Sequence, residues 1–228
     1  MRYSRTWLIA LILVGSASIL AAPGSAQVSG QHARQRYEKA TKGASIDDFV
    51  KRLGSEDGDT RLEAVKSLGT SGEPKAVEYL IQAMGDPDVR VQAKAIALLG
   101  DLRATDAVPI LVQYLSRTTT NNNLKQMILA ALGKIGDARA AIPIAEFLQR
   151  DLDPSTRGTG VFALGEIAAA DSRDALKRIA ENEEDPSVRR LATEALGKVE
   201  YRQAAVKREV KAPSQNFLKP KDEPPPQQ

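Results

Sequence analysis

The sequence predicts an all-α solenoid of about five stacked helix pairs with one capping helix added at the N-terminal end, and three observations carry that expectation. Hydrophobic residues fill 42% of the 228 positions but aromatics only 4%, so the core must be built from Ala, Leu, Ile and Val, a balance that favours close-packed helices over strands. A Leu-Gly pair recurs at Leu68-Gly69, Leu99-Gly100, Leu132-Gly133, Leu164-Gly165 and Leu196-Gly197, in steps of 31, 33, 32 and 32 residues, which is the mark of a stacked repeat. Helix starts are spelled out as well: Asp86-Pro87, Asp153-Pro154 and Asp185-Pro186 each place a capping carboxylate before a proline at the first helical position.

The chain opens with a short basic stretch, Met1 to Arg5, and an uncharged run, Trp7 to Ala22, followed by Pro23-Gly24-Ser25-Ala26. This predicts a secretory signal peptide over 1–26, cut after Ala26, because Gly24 and Ala26 offer the small side chains a signal peptidase reads. Gly15, Ser16 and Ser18 leave the strongly apolar part short of the roughly 20 residues a membrane span prefers. The mature chain is therefore expected to be exported, periplasmic or extracellular, and off the membrane once the leader is removed. Residues 27–44 read as a flexible polar linker.

The repeat domain is expected over 45–200. SIDDFVKRLG places Ile46, Phe49, Val50 and Leu53 on one helical face, with Ser45 and Asp48 spaced for a capping box, and reads as the second helix of an otherwise missing repeat. Five Ala-rich helices end in the Leu-Gly pairs: TRLEAVKSLG, VQAKAIALLG, LKQMILAALG, TRGTGVFALG and VRRLATEALG. Five residues before each final Gly stand Ala64, Ala95, Ile128, Gly160 and Ala192, small in every copy but one, so a neighbouring helix can approach closely there. The final Gly itself is expected to close the helix in a left-handed conformation.

Second helices follow in AVEYLIQAM, AVPILVQYL, AIPIAEFLQ and DALKRIAEN, where Val77, Leu80, Ile81 and Met84 show the i, i+3, i+4, i+7 spacing of a buried face. Pro109 and Pro143 sit near the starts of these helices, where a missing N–H costs little. The second copy has two extra residues between Val89-Arg90 and its Leu-Gly, and the third replaces Asp-Pro with the polar run Thr118 to Asn123, a longer loop with an Asn as cap. Residues 201–211 extend or cap the last helix, and 212–228 read as a disordered Pro-rich tail.

The motif Asp-Pro-x-Val-Arg leading to Ala-x-x-Ala-Leu-Gly, fullest at Asp185-Pro186-Ser187-Val188-Arg189 to Ala195-Leu196-Gly197, resembles the HEAT-like repeats first recognised in phycobilin lyases and widespread in bacteria. The resemblance covers residues 45–200 and implies the solenoid; about function it is nearly silent. Deoxyhypusine hydroxylase, a HEAT-like enzyme, binds iron through repeated His-Glu pairs, and this sequence contains none. Chromophore chemistry of the lyase kind is likewise disfavoured by a body without Cys or His.

Composition narrows the chemistry further. There is no cysteine, which excludes disulfides, thiolate metal sites and thiol catalysis, and the one histidine, His32, lies in the linker, outside any plausible metal pair or Ser-His-Asp site. The formal charge of +3 comes from the leader and tail, leaving the body near −2, which argues against nucleic acid. Arg61, Lys125, Arg157 and Arg189, with Gln92 in the remaining copy, stand eight residues before the final Gly and are expected to pair with acids between repeats. Asp47-Asp48 and Glu183-Glu184 read as solvated helix-start charges. No cofactor and no metal are expected.

With catalytic groups lacking, the expected function is a non-catalytic protein-binding or assembly scaffold of the cell envelope; the alternative is an accessory subunit or lyase-like enzyme acting on an envelope substrate. Solenoids bind extended partners along their inner surface, which the second helices are expected to line. Polar positions flanking the buried stripes then nominate Glu78, Gln82, Gln113, Tyr114, Glu146, Arg150, Lys177 and Glu181 as contacts, with Tyr114 as the aromatic anchor.

Overall fold

A computed structural model describes residues 45–150 and 152–211, with side chains through Arg208. The leader over 1–26, the linker over 27–44 with His32, and the tail over 212–228 lie outside the described residues. Ten helices follow one another: α1 Ile46–Leu53, α2 Gly58–Thr70, α3 Ala76–Ala83, α4 Val89–Asp101, α5 Val108–Ser116, α6 Asn122–Ile135, α7 Ala141–Phe147, α8 Pro154–Ile167, α9 Arg173–Asn182 and α10 Pro186–Lys211. Three-residue 3-10 turns precede α5, α7 and α9.

Odd-numbered helices pack on the even-numbered ones that follow them, so the helices form five pairs in which the Leu-Gly helix comes second. The five copies thus give five pairs, and α1, read as a cap left over from a missing repeat, serves as the first member of the first pair. Its start is closed as the Ser45 and Asp48 spacing predicts: Asp48 accepts from the Ser45 N–H at 3.1 Å. Ile46, Phe49 and Leu53 then rest half-buried on the core.

That core is largely aliphatic, with Phe147 its one buried aromatic among the described residues. Leu68, Leu80, Met84, Leu99, Leu111, Leu132, Ile144, Leu164 and Leu176 are all sealed from solvent, with Ala64, Ala95, Ile128 and Ala192 at the close-approach position. Gly160 is the close-approach residue of the fourth copy, and a Cβ there would lie 2.7 Å from Leu148 Cδ2. Packing therefore accounts for a glycine inside α8.

The repeated Leu-Gly glycines do not close their helices. Gly69, Gly100, Gly133, Gly165 and Gly197 all lie within helical segments, and positive φ occurs instead three residues downstream, at Gly72 (70°), Arg103 (50°), Gly136 (73°) and Ala168 (49°). The Leu of each pair supplies the closing acceptor: Gly136 N–H donates to Leu132 O at 3.0 Å and Ala168 N–H to Leu164 O at 2.9 Å. In the last copy no such turn occurs, and α10 runs unbroken through Gly197 to Lys211.

What the repeated glycine does is admit the next helix. A Cβ built on Gly100 would stand 2.9 Å from Ala131 Cα, one on Gly133 3.1 Å from Ala163 Cα, and one on Gly165 2.9 Å from Ala195 Cβ. Gly69 meets Leu98 in the same way, at 2.5 Å from its Cδ2. At Gly197, with no sixth pair to follow, nothing lies within 4 Å.

Capping and ion pairing then set the pairs against one another. Asp57, Asp153 and Asn121 accept from the backbone N–H three residues on, at 2.9, 2.9 and 2.8 Å. Asp185 caps α10 through the N–H groups of Ser187 and Val188. In the second copy the cap is Asp88, not Asp86, because the two extra residues shift the helix start. Asp86 is freed to take Arg61 of the preceding pair in two bonds, 2.8 and 2.9 Å, with both side chains about one-tenth exposed.

Arg157 reaches Glu183 at 2.9 Å in the equivalent arrangement, so Glu183 is buried in an ion pair rather than solvated. Gln92 and Arg189 keep their places but donate to backbone carbonyls, Asp86 O at 2.6 Å and Glu183 O at 2.6 Å. Lys125 has no ion-pair partner among the described residues. At Asp86, burial works to raise the carboxyl pKa, but the bonds from Arg61 and the Asp88 N–H outweigh it and hold the group below its ordinary value.

Candidate functional site

The two layers of helices differ in spacing. Even helices approach one another at the glycine notches, against backbone at Gly100, Gly133 and Gly165, and form one layer; the odd helices form the other. Glu78 and Gln82 on α3, Gln113 and Tyr114 on α5, Glu146 on α7, Arg150 just beyond it, and Lys177 and Glu181 on α9 all belong to the odd layer.

Most of these eight behave as solvated surface. Lys177 and Glu181 form an exposed i, i+4 pair at 3.9 Å, a contact worth little. Arg150 donates to Ser116 O at 3.3 Å, tying one pair to the next. Tyr114 is half-buried rather than presented: Arg117 lies 4.2 Å above its ring while donating to Gln113 Oε1 at 3.2 Å, and Thr120, itself buried, donates to Tyr114 O at 2.7 Å. It lines a polar recess of about 430 Å³ with Gln92, Arg117 and Asn121. The polar run from Thr118 therefore serves to pack and cap, through Thr120 and Asn121.

An apolar groove opens on the even layer, between α8 and α10, with a volume of about 470 Å³. Phe162, Val188 and Leu191 form its apolar surface, Ser155 and Ser187 its rim, and Gly158 creates the space. A Cβ on Gly158 would make ordinary contact with Leu191 Cδ1 at 3.6 Å and Val188 Cγ2 at 3.7 Å, so anything larger than a methyl there would begin to fill the groove. Phe162 is 50% exposed. Its far edge is held by Lys198, whose Nζ lies 5.5 Å from the ring centroid and 2.6 Å from Glu166.

The signal for this groove was in the repeat alignment. Three residues before the Leu-Gly glycine the copies carry Lys66, Ala97, Ala130, Phe162 and Glu194, so Phe162 is the single aromatic at a position otherwise small or charged. Elsewhere on this layer polar groups are paired across repeats, Arg90 with Asp59 and Lys134 with Asp101. No group of three or more Asp, Glu or His side chains is placed to hold a metal among the described residues, and no described helix is long and apolar enough to cross a membrane.

Comparison with known proteins agrees with this architecture. The family model for HEAT repeats matches at residues 31–91, 46–116, 77–157 and 142–208, overlapping stretches that take in most of the chain. No curated protein matches. Among solved structures, one engineered protein is similar at 21% identity and a TM-score of 0.51, over 79% of this chain and 93% of its own. A second engineered protein is similar at 23% identity and a TM-score of 0.50, over 76% of this chain and 53% of its own. Human deoxyhypusine hydroxylase aligns over 72% of this chain and 98% of its own at 16% identity, but a TM-score of 0.39 is too low to argue from. Five helix pairs, glycine-notched Leu-Gly helices and the matching family model agree: this chain is a helical repeat scaffold that belongs to the HEAT-repeat family.

Proposed function

We propose that the chain is a non-catalytic protein-binding scaffold that is exported and works at the cell envelope, periplasmic or extracellular, and that it holds its partner in the Phe162 groove. The observation that carries the reading is a half-exposed aromatic over an apolar groove on the Leu-Gly helices of a repeat stack. Large aromatics in such settings dominate the energetics of interfaces, while flanking polar pairs contribute little. The leader supports export, and a body without cysteine or histidine supports binding over catalysis.

The test is affinity capture from the exported fraction with wild type, Phe162→Ala and Tyr114→Ala. Phe162→Ala should lose the captured protein at unchanged helicity, and Tyr114→Ala should keep it. The reverse pattern would return the contact to the odd layer. Intact mass of the exported protein checks the leader: a mass that retains residues 1–26 removes the cleavage reading.

A further inference from the structure

We propose that the groove between α8 and α10 receives the Phe217-Leu218 segment of a second copy of this chain. This rests on the reading of the groove as the contact surface and names its occupant. Beyond α10 the sequence continues APSQNFLKPKDEPPPQQ, in which Phe217 and Leu218 are the only large apolar residues. Pro213 and Pro220 flank them and limit the conformations that binding would have to freeze out.

Charge follows the same match. Lys219 and Lys221 come directly after the apolar pair, and the end of the groove at Pro154 and Asp185 lies beside Asp153 and Glu184, with no lysine or arginine in its lining. The nearby bases are engaged: Arg157 on Glu183, Arg189 on the Glu183 carbonyl, and Lys198, at the opposite edge beside Phe162, on Glu166. An apolar anchor followed by cations thus meets an apolar floor that ends in carboxylates.

Geometry favours a second copy over the chain's own tail as occupant. At 1.5 Å per residue α10 extends about 30 Å from Leu191 to Lys211, and about 20 Å from Lys198, which stands at the Phe162 edge. The six residues from Lys211 to Phe217 reach at most about 22 Å when fully extended. The chain's own segment therefore reaches the Phe162 edge only at full stretch and falls short of Leu191, whereas that of a second copy enters the whole groove without this cost. Tail into groove is a heterologous contact, in which each copy offers one of each and association can continue beyond two.

Sedimentation equilibrium of the full chain over a concentration series tests this. Wild type should gain mass with concentration. Phe217→Ala/Leu218→Ala, outside the helix pairs and so without effect on the unfolding midpoint, should weaken association by about tenfold or more; Phe162→Ala should do the same at unchanged helicity. Mixed together, the two variants should recover one tail-to-groove contact and stop at a dimer, though neither associates alone. A wild type that stays monomeric, self-association indifferent to the tail substitutions, or a mixture that fails to pair overturns the proposal. If a foreign partner is still captured through Phe162, the groove reading stands without this occupant; if Phe162→Ala leaves capture unchanged, the groove reading falls.

Discussion

Replacing the repeated glycine by alanine should have opposite signs at two places that look alike in sequence. At Gly197, in the middle of α10 with nothing within 4 Å of the new methyl, the change should stabilise the helix by about 0.5–1 kcal/mol, the usual gain of Ala over Gly. At Gly100 the same gain is opposed by a Cβ placed 2.9 Å from Ala131 Cα and 3.1 Å from its Cβ. Carbon atoms rest at about 3.5–4.0 Å, so α4 and α6 would have to separate by roughly half an ångström or more.

The obstacle at Gly100 is backbone, which cannot swing aside as a side chain can. Overpacking of this kind costs about 1–3 kcal/mol. Gly100→Ala should therefore be less stable than Gly197→Ala by about that amount, and less stable than wild type by up to about 2 kcal/mol. Urea unfolding followed by circular dichroism measures both, as midpoint shifts at constant slope. If the two substitutions stabilise alike, the glycine is not a notch between helices and the account of the even layer is wrong.

Leu132→Ala should cost about 2–5 kcal/mol in the same assay, because Leu132 is fully buried, while Leu196→Ala, half-buried in the last pair, should cost markedly less. Ala168→Gly should stabilise by roughly 0.5–1 kcal/mol by relieving a left-handed alanine, whereas Glu200→Gly, the equivalent position inside the unbroken α10, should destabilise by about 1 kcal/mol. Acid should unfold the stack through its carboxylates. Asp57 and Asp153 are held below the ordinary 3.8 by hydrogen bonds from Thr60 and Thr156, and Asp86 by Arg61 against the opposing effect of burial. A depressed folded pKa means the unfolded chain binds more protons, so this stability is complete above about pH 4 and is lost as pH falls through the lowered values. Asp153→Asn, which can still cap, should flatten part of that loss in an acid titration; an unchanged acid midpoint would count against the cap's contribution.

Much of the fold was legible because helices announce themselves locally. The Asp153-Pro154 and Asp185-Pro186 starts, the aliphatic face from Val77 to Met84 and the 32-residue beat each depend on a few neighbouring residues, and the structure follows them. The contacts between layers were less legible. Arg61 and Arg157 find acids as expected, but Asp86 is a partner rather than a cap, and Glu183 is buried rather than solvated, because both depend on where a loop of the adjacent pair comes to rest.

By itself the sequence determined the number of repeats, the helical class, the largely aliphatic core and the absence of cysteine. Two things waited for tertiary structure: what the repeated glycine is for, and where an exposed aromatic sits. A glycine that ends a helix and one that admits a neighbour are the same residue in the same local pattern; only the position of Ala131 or Ala163 separates them. The exposure of Phe162 is likewise a property of the gap between α8 and α10, helices some 32 residues apart in the repeat, rather than of its own stretch of chain.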